Sequence, residues 1–459
     1  MKYLILVPDG AADVVVENEM TPLEAANIPT IDGLAKRGHI GLVRTIPRGV
    51  TPGSDAANLA VLGYDPKKDL TGRSPLEAVS MGVELGARDV AFRTNLVTLA
   101  PPEKGKGGEG YENLVIVDHA SGDISDEEAR VLIEYIDEKL GSGDPANEGR
   151  VRFYPGVSYR HALIVRDGGE TENGAAGSLV TEDGAAENGA AKSGKTKSGI
   201  GDVFAEYPDY ALIPPHDILG RQIGLYLPDA ENEKYLLDMM KKSYALLKGH
   251  EVNKAREAKG LRPANSIWIW GEGRRPGLKP ITEKYGVQGT VISAVDLIKG
   301  IGICAGLEPV KVEGATGTIT TNFKGKGEAA IDAFTRGKDL AYIHVEAPDE
   351  CAHQGNRGEK ITAMERIDAD IVAPIIAWLE KNRTETGEEF RVLIVPDHRT
   401  PVVIRTHTDE PVPFVVYDSA QAAAGGVNEN HAFTERACAE GESIRSGRDL
   451  ADKFFGNGF

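Results

Sequence analysis

Three apolar runs in this chain end alike. LILVPDG closes on Asp9, LAYIHVEAPD on Asp349, and VLIVPDH on Asp397 and His398. A buried run that stops at an acid, or at an acid and a histidine, places those ligands at the carboxyl edge of a parallel sheet, where open α/β folds build their sites. The pattern predicts an α/β fold with a mostly parallel sheet whose edge collects ligands from both ends of the chain.

Around these runs the α/β rhythm is regular. Lys2 to Val7 reads as a buried strand, TPLEAANIPTIDGLAKRG as one capped helix and HIGLVRTIP as a further strand, a succession that implies a parallel sheet. SDAANLAVLG reads as a helix starting at or near Ser54, so backbone N–H groups there can receive an anion. Residues 1–73 and 265–459 are expected to form one discontinuous catalytic domain, with 74–264 inserted as a smaller α/β domain that acts as a lid. Within the insertion, residues 167–202 are rich in Gly, Ala, Glu, Asn and Lys and nearly devoid of large apolar side chains, which predicts a low-complexity surface excursion.

Composition narrows the partners. The chain has 459 residues and a net charge of -18, without a basic stripe, which argues against nucleic acid or an anionic membrane. Any anionic substrate must then be met by a local positive pocket or by metal ions. Three cysteines, Cys304, Cys351 and Cys438, are widely spaced and odd in number, which suits a reducing cytoplasm better than a disulfide framework. The opening MKYLILVPDG is read as a first strand rather than a signal peptide, and no stretch has the length of a membrane span.

The chemistry is carried by a constellation. Asp349 and His353 stand at i and i+4, which faces both to one side if a helix begins there. Asp397 and His398 are adjacent, so they can fan around one ion only from the turn after the strand. His407 adds a further imidazole, and the donor set lacks thiolates. Oxygen and imidazole donors suit two divalent metal ions, Mn²⁺ first, with Zn²⁺ or Mg²⁺ as alternatives. A metal pair would activate the Ser54 hydroxyl for in-line attack on a phosphate. Taken singly, Asp9 and Ser54 could each be helix caps, and His161, His216 and His344 read as structural histidines. A non-catalytic protein that kept the fold would be marked by loss of one of these ligands, and none is missing.

The segments LVPDGAAD, TPGSDAANLAVLGYD, TGRSPLEA, VAFRTNL, GEGRRP, TEKYG, APDECAHQGN, PDH and THTDEPVPF together resemble the alkaline phosphatase superfamily, and within it the archaeal-type 2,3-bisphosphoglycerate-independent phosphoglycerate mutases. The resemblance implies an alkaline-phosphatase-like α/β/α sandwich and interconversion of 3- and 2-phosphoglycerate through a phosphoserine on Ser54, without 2,3-bisphosphoglycerate. It further implies one metal on Asp349, His353 and His407, and the second on Asp9, Ser54, Asp397 and His398. Lys284 is the implied stabiliser of transition-state charge, and Arg93, Arg274 and Arg275 are candidates for the anionic groups of the substrate. The alternatives are a phosphopentomutase-like sugar phosphate mutase and a metal-dependent phosphomonoesterase.

Overall fold

The computed structural model describes residues 1–102, 110–147, 149–167, 212–229, 233–422, 425–456 and 458–459. Apart from Asp167, the excursion expected at 167–202 lies outside the described residues. In chain order the strands are β1 (Lys2–Pro8), β2 (His39–Val43), β3 (Val90–Ala100), β4 (Val115–Asp118), β5 (Val151–Val157), β6 (Arg160–Val165), β7 (Ser266–Arg274), β8 (Gly289–Ile292), β9 (Glu308–Val310), β10 (Leu340–Val345), β11 (Phe390–Ile394), β12 (Val412–Asp418) and β13 (Glu442–Ile444). They belong to two compact units, Met1–Glu84 with Pro276–Phe459, and Leu85–Arg275.

The first unit holds an eight-stranded sheet in the order β13-β2-β12-β11-β1-β10-β8-β9. β1 lies between β10 and β11 and is parallel to both, with Pro8 opposite Val345 and Leu6 opposite Ile394. Strands β10, β11 and β12 are buried at every position, as expected of a sheet covered on both faces. Alternate side chains of β1 serve the two faces. Leu4 and Leu6 join Ile31, Phe334, Met364 and Ile375 in one core, and burial of each such side chain contributes roughly 1.5–3 kcal/mol. The sheet is mostly parallel, as predicted, although β12 runs antiparallel to both β11 and β2.

Local chemistry explains the remaining departures. TPLEAANIPTIDGLAKRG forms two helices, Pro22–Ala25 and Pro29–Arg37, rather than one. Thr21 and Glu24 close a capping box on the first, and Pro29 disfavours helical backbone at Ile28, so the chain must restart. The long C-terminal pattern instead stays helical from Arg357 to Thr386, passing Pro374 by a π-helical segment, Ile367–Val372.

The second unit is built on an antiparallel sheet, β4-β3-β6-β5, with β7 also paired to β3. Its core joins Phe92, Leu132, Ile136, Met240 and Trp268, and the indole of Trp268 donates to the Ile213 carbonyl at 2.8 Å. Both boundaries fall later than the sequence placed them. The helix Ser74–Ser80 packs on the helix Asp296–Cys304, where a Cβ on Gly300 would sit 2.0 Å from the Leu76 carbonyl oxygen, so this segment belongs to the first unit. β7, expected to resume the catalytic domain, instead pairs with β3 along its length. Among the described residues, no helix is long and apolar enough to cross a membrane.

A buried cation ties the loops of the first unit. Lys360 is fully buried, and its ammonium donates to Asp13 Oδ2 at 3.0 Å and to the carbonyls of Thr400 at 2.8 Å and Ala12 at 3.3 Å. Removing it leaves the Asp13 carboxylate buried without its counter-charge, which typically costs about 3–5 kcal/mol. Lys360→Met is therefore expected to lower the urea midpoint by a corresponding amount with an unchanged m-value, and a shift equal to that of an exposed control such as Lys381→Met would contradict this role.

Candidate functional site

The carboxyl ends of β1, β10 and β11 deliver their side chains to one place. Asp9 follows β1, with its N–H bonded to the Val345 carbonyl at 2.9 Å. The helix Ala347–His353 leaves β10 and carries Asp349 and His353 on one side, while Asp397 and His398 sit in the turn after β11. Ser54 begins the helix Ser54–Val61, as the sequence predicts, and its Oγ lies 3.2 Å from His398 Nε2.

Two groups of ligand atoms result. Those of Asp9, Asp397 and His398 lie within 4.8 Å of one another, and so do those of Asp349, His398 and His407. His353 adjoins the second group, its Nε2 being 3.1 Å from Asp349 Oδ2 and 2.9 Å from His407 Nε2. The groups are contiguous, because the His398 and His407 rings stack at 4.0 Å.

The hydrogen bonds assign the imidazole tautomers. His353 Nδ1 donates to the Arg405 carbonyl at 2.9 Å, and His407 Nδ1 faces the Pro52 carbonyl at 3.4 Å. His398 Nδ1 meets Thr400 Oγ1 at 3.1 Å, and that hydroxyl spends its proton on Asp349 Oδ1. When neutral, each of the three rings therefore carries its proton on Nδ1 and turns a bare Nε2 toward the carboxylates. That is the form in which an imidazole binds a cation.

Charge in the cluster is only partly compensated. Burial and then the neighbouring carboxylates Asp397, Asp349 and Glu346 push Asp9 well above the usual carboxylate range. Its Oδ1 is buried without a hydrogen-bond partner. Burial also raises Asp397, but the nearby histidines outweigh it and hold that carboxyl low, and Asp349 is likewise held low by its bonds to His353 and His407. An orphaned carboxylate oxygen beside bare imidazole nitrogens fits a divalent cation, which would satisfy both.

Close approach makes Gly10 indispensable. It has φ +61°, and a Cβ there would stand 2.5 Å from Asp349 Oδ1 and 2.6 Å from Thr400 Oγ1. Its N–H donates to Asp397 Oδ1 at 3.1 Å.

The structure adds residues that the motif reading passed over. Asn58, one turn beyond Ser54, donates from Nδ2 to the Ser54 carbonyl at 2.8 Å and to Asp397 Oδ2 at 3.2 Å, and accepts from the Tyr342 hydroxyl. The i,i+4 spacing from the serine was the available signal. Thr400, two residues past His398, joins the two ligand groups. Arg73, in TGRSPLEA, bonds Asp55 Oδ2 at 2.6 Å, beside the residue preceding the serine. His344, read as structural, places Nε2 3.0 Å from Asp9 Oδ2.

Lys284, within the first unit, is not brought to this cluster. Lys284 donates to the Gly63 carbonyl, just past the end of the Ser54 helix, and lies over the rings of Tyr64 and Tyr285 at 5.0 and 4.8 Å. An eight-residue helix spans roughly 12 Å, so Lys284 stands at the opposite end from the serine hydroxyl. This placement does not suit a stabiliser of charge at Ser54. Arg93, Arg274 and Arg275 belong to the second unit. Arg93, on β3, stacks on Trp270 at 4.8 Å, Arg274 closes β7 opposite Val90, and Arg275 is exposed.

Comparison with known proteins gives a consistent picture. A family model described as 2,3-bisphosphoglycerate-independent phosphoglycerate mutase matches residues 35–198. A Geobacter sulfurreducens protein named "Probable 2,3-bisphosphoglycerate-independent phosphoglycerate mutase" is 44% identical over 93% of this chain and 93% of its own. The 2,3-bisphosphoglycerate-independent phosphoglycerate mutase of Methanosarcina barkeri is 43% identical over 92% of this chain and 93% of its own. In fold, the chain resembles the cofactor-independent phosphoglycerate mutase of Thermoplasma acidophilum, with a TM-score of 0.61 and 22% identity, covering 100% of both chains.

The cluster predicts a pH dependence with a definite sign. Its bond to Asp349 pushes the His353 imidazole up to about 9. A raised histidine stabilises the cation-free protein fully below its unfolded value of about 6.5, and that contribution is lost as pH rises through about 9. Divalent cations need the neutral ring, so Mn²⁺ affinity should rise across the same window, by up to about tenfold per pH unit for each proton released. Calorimetric titration in buffers of different ionisation enthalpy would count those protons, and flat affinity from pH 6.5 to 9 would exclude His353 as a ligand.

Proposed function

The chain belongs to the 2,3-bisphosphoglycerate-independent phosphoglycerate mutase family, and from that premise we propose that it interconverts 3-phosphoglycerate and 2-phosphoglycerate with Ser54 as the transient phosphoryl carrier. The observation that carries this reading is the Ser54 hydroxyl, which opens a helix 3.2 Å from His398 Nε2 and beside two potential cation sites. Asp9, Ser54, Asp397 and His398 would hold one divalent ion, and Asp349, His353 and His407 the other, with Mn²⁺ best matched to the mixed oxygen and imidazole donors and Zn²⁺ or Mg²⁺ as alternatives. Such ions, when bound, lower the pKa of a hydroxyl and neutralise phosphoryl oxygens.

The protein's own groups supply position. The first turn of the Ser54 helix offers backbone N–H groups to an anion, and Asn58 anchors the Ser54 carbonyl to Asp397, which limits the serine's freedom. In the forward half-reaction Ser54 Oγ bonds to phosphorus as the bond to the substrate's 3-oxygen breaks, the serine proton passing in net to that oxygen, and glycerate stays in the site as the leaving group. The reverse half-reaction returns the phosphoryl group to the 2-hydroxyl and frees the serine. Retention of glycerate between the halves separates a mutase from a phosphatase, since water would otherwise complete the second step. Arg93, Arg274 and Arg275 remain candidates for anionic groups because a guanidinium matches carboxylate and phosphate bidentately. Three buried cysteine thiols, none in a disulfide among the described residues, fit a cytoplasmic location.

Supplied with Mn²⁺ and no 2,3-bisphosphoglycerate, the purified protein should equilibrate the two phosphoglycerates. Release of inorganic phosphate without isomer formation would establish the phosphomonoesterase alternative instead. Ser54→Ala should lower kcat by at least about a thousandfold while preserving the circular dichroism spectrum, and activity within tenfold of the parent would remove Ser54 as the carrier.

A further inference from the structure

His344 differs from the other histidines of the cluster in the direction of its proton. It lies on β10 opposite Val7 of β1 and is fully buried, and its Nδ1 faces Ser293 Oγ at 3.4 Å. That hydroxyl oxygen accepts the Val295 N–H at 3.0 Å, and its own proton can be given to His344 Nδ1. The Asp9 carboxylate 3.0 Å from Nε2 selects the tautomer in which Nδ1 accepts from Ser293 and Nε2 carries the hydrogen, the reverse of His353, His398 and His407. A ring nitrogen bearing hydrogen cannot bind a cation.

Asp9 Oδ2 faces that N–H at 3.0 Å, yet Nε2 is buried without a completed hydrogen bond. Asp9 Oδ1 is likewise buried without a partner. Two unsatisfied buried groups on adjacent parallel strands form an unfinished relay, whose carboxylate can turn until one oxygen meets the imidazole and the other a cation. We propose that His344 is a positioning residue for Asp9: Ser293 sets its tautomer, and its Nε2–H holds Asp9 Oδ2 so that Oδ1 faces the cation site of Asp9, Asp397 and His398. This rests on the reading that Asp9 is a cation ligand, and it distinguishes the two sites, because the carboxylate of the other, Asp349, is supported by the Thr400 hydroxyl instead.

The test is calorimetric titration of the metal-free full chain with Mn²⁺. The parent should show two binding events. In His344→Ala one event should weaken by about 10–100-fold while the other stays within about twofold. His344→Gln, whose side-chain amide can present an N–H near the position of Nε2, should recover at least half of that loss on a logarithmic scale. Ser293→Ala should weaken the same event by severalfold, since the ring is then free to change tautomer. Equal weakening of both events, or no rescue by glutamine, would assign His344 to general packing and overturn the proposal. If His344→Ala does not fold, parental affinity for both ions in Ser293→Ala overturns it equally, because that variant removes only the tautomer control. A parent that binds fewer than two Mn²⁺ overturns the cation-site reading together with this one, whereas two parental events left unchanged by the variants overturn this one alone.

Discussion

The structure depends on β1 lying between β10 and β11 with all three pointing the same way. Parallel pairing aligns carboxyl ends, so the loops after Pro8, Val345 and Ile394 leave the sheet side by side. A one-residue slip would exchange the side chains that β1 sends to its two packed faces and displace Asp9 by one residue, and close packing on both faces opposes it. The hydrophobic register thus positions Asp9, Asp349, Asp397 and His398, and hydrogen bonds only trim what the sheet has already brought together.

Those trimming bonds hold a strained electrostatic arrangement in place. Three buried carboxylates would repel one another without compensation, and the protein meets this partly with raised imidazole pKa values and partly with a raised Asp9. Lys360 binds the loop at Ala12 and Asp13 to Thr400, and Thr400 in turn joins His398 to Asp349. Three separate backbone or hydroxyl acceptors choose the tautomers of His353, His407 and His398. Such preorganisation orients the ligands for a cation, which must displace the protons that the raised groups hold.

The same logic explains what could be read from the chain and what could not. Metal-type ligands announce themselves because few other reasons place Asp, Asp-His and D-x-x-x-H after buried runs, and the helix at Ser54 was legible from its apolar spacing. The helix break at Ile28 was written in Pro29, yet the periodic apolar pattern ran across it. The direction of β12 was not legible, since a strand buried on both faces looks alike in either orientation. β7 was assigned to the wrong unit because its apolar residues say that it is buried but not which strand it pairs with. Lys284 matched a motif, but its side chain follows the Gly63 carbonyl and the aromatic rings beside it.

By itself the sequence determined the composition of the site and the kind of sheet that could carry it, because residue chemistry and hydrophobic patterning are local properties of the chain. Only the tertiary structure decided that Asn58 and Thr400 knit the ligands together, and that His344 turns its Nε2 to Asp9. Those roles depend on which acceptor each nitrogen or hydroxyl meets across hundreds of residues of chain, a matter of register and packing that no run of neighbouring residues encodes.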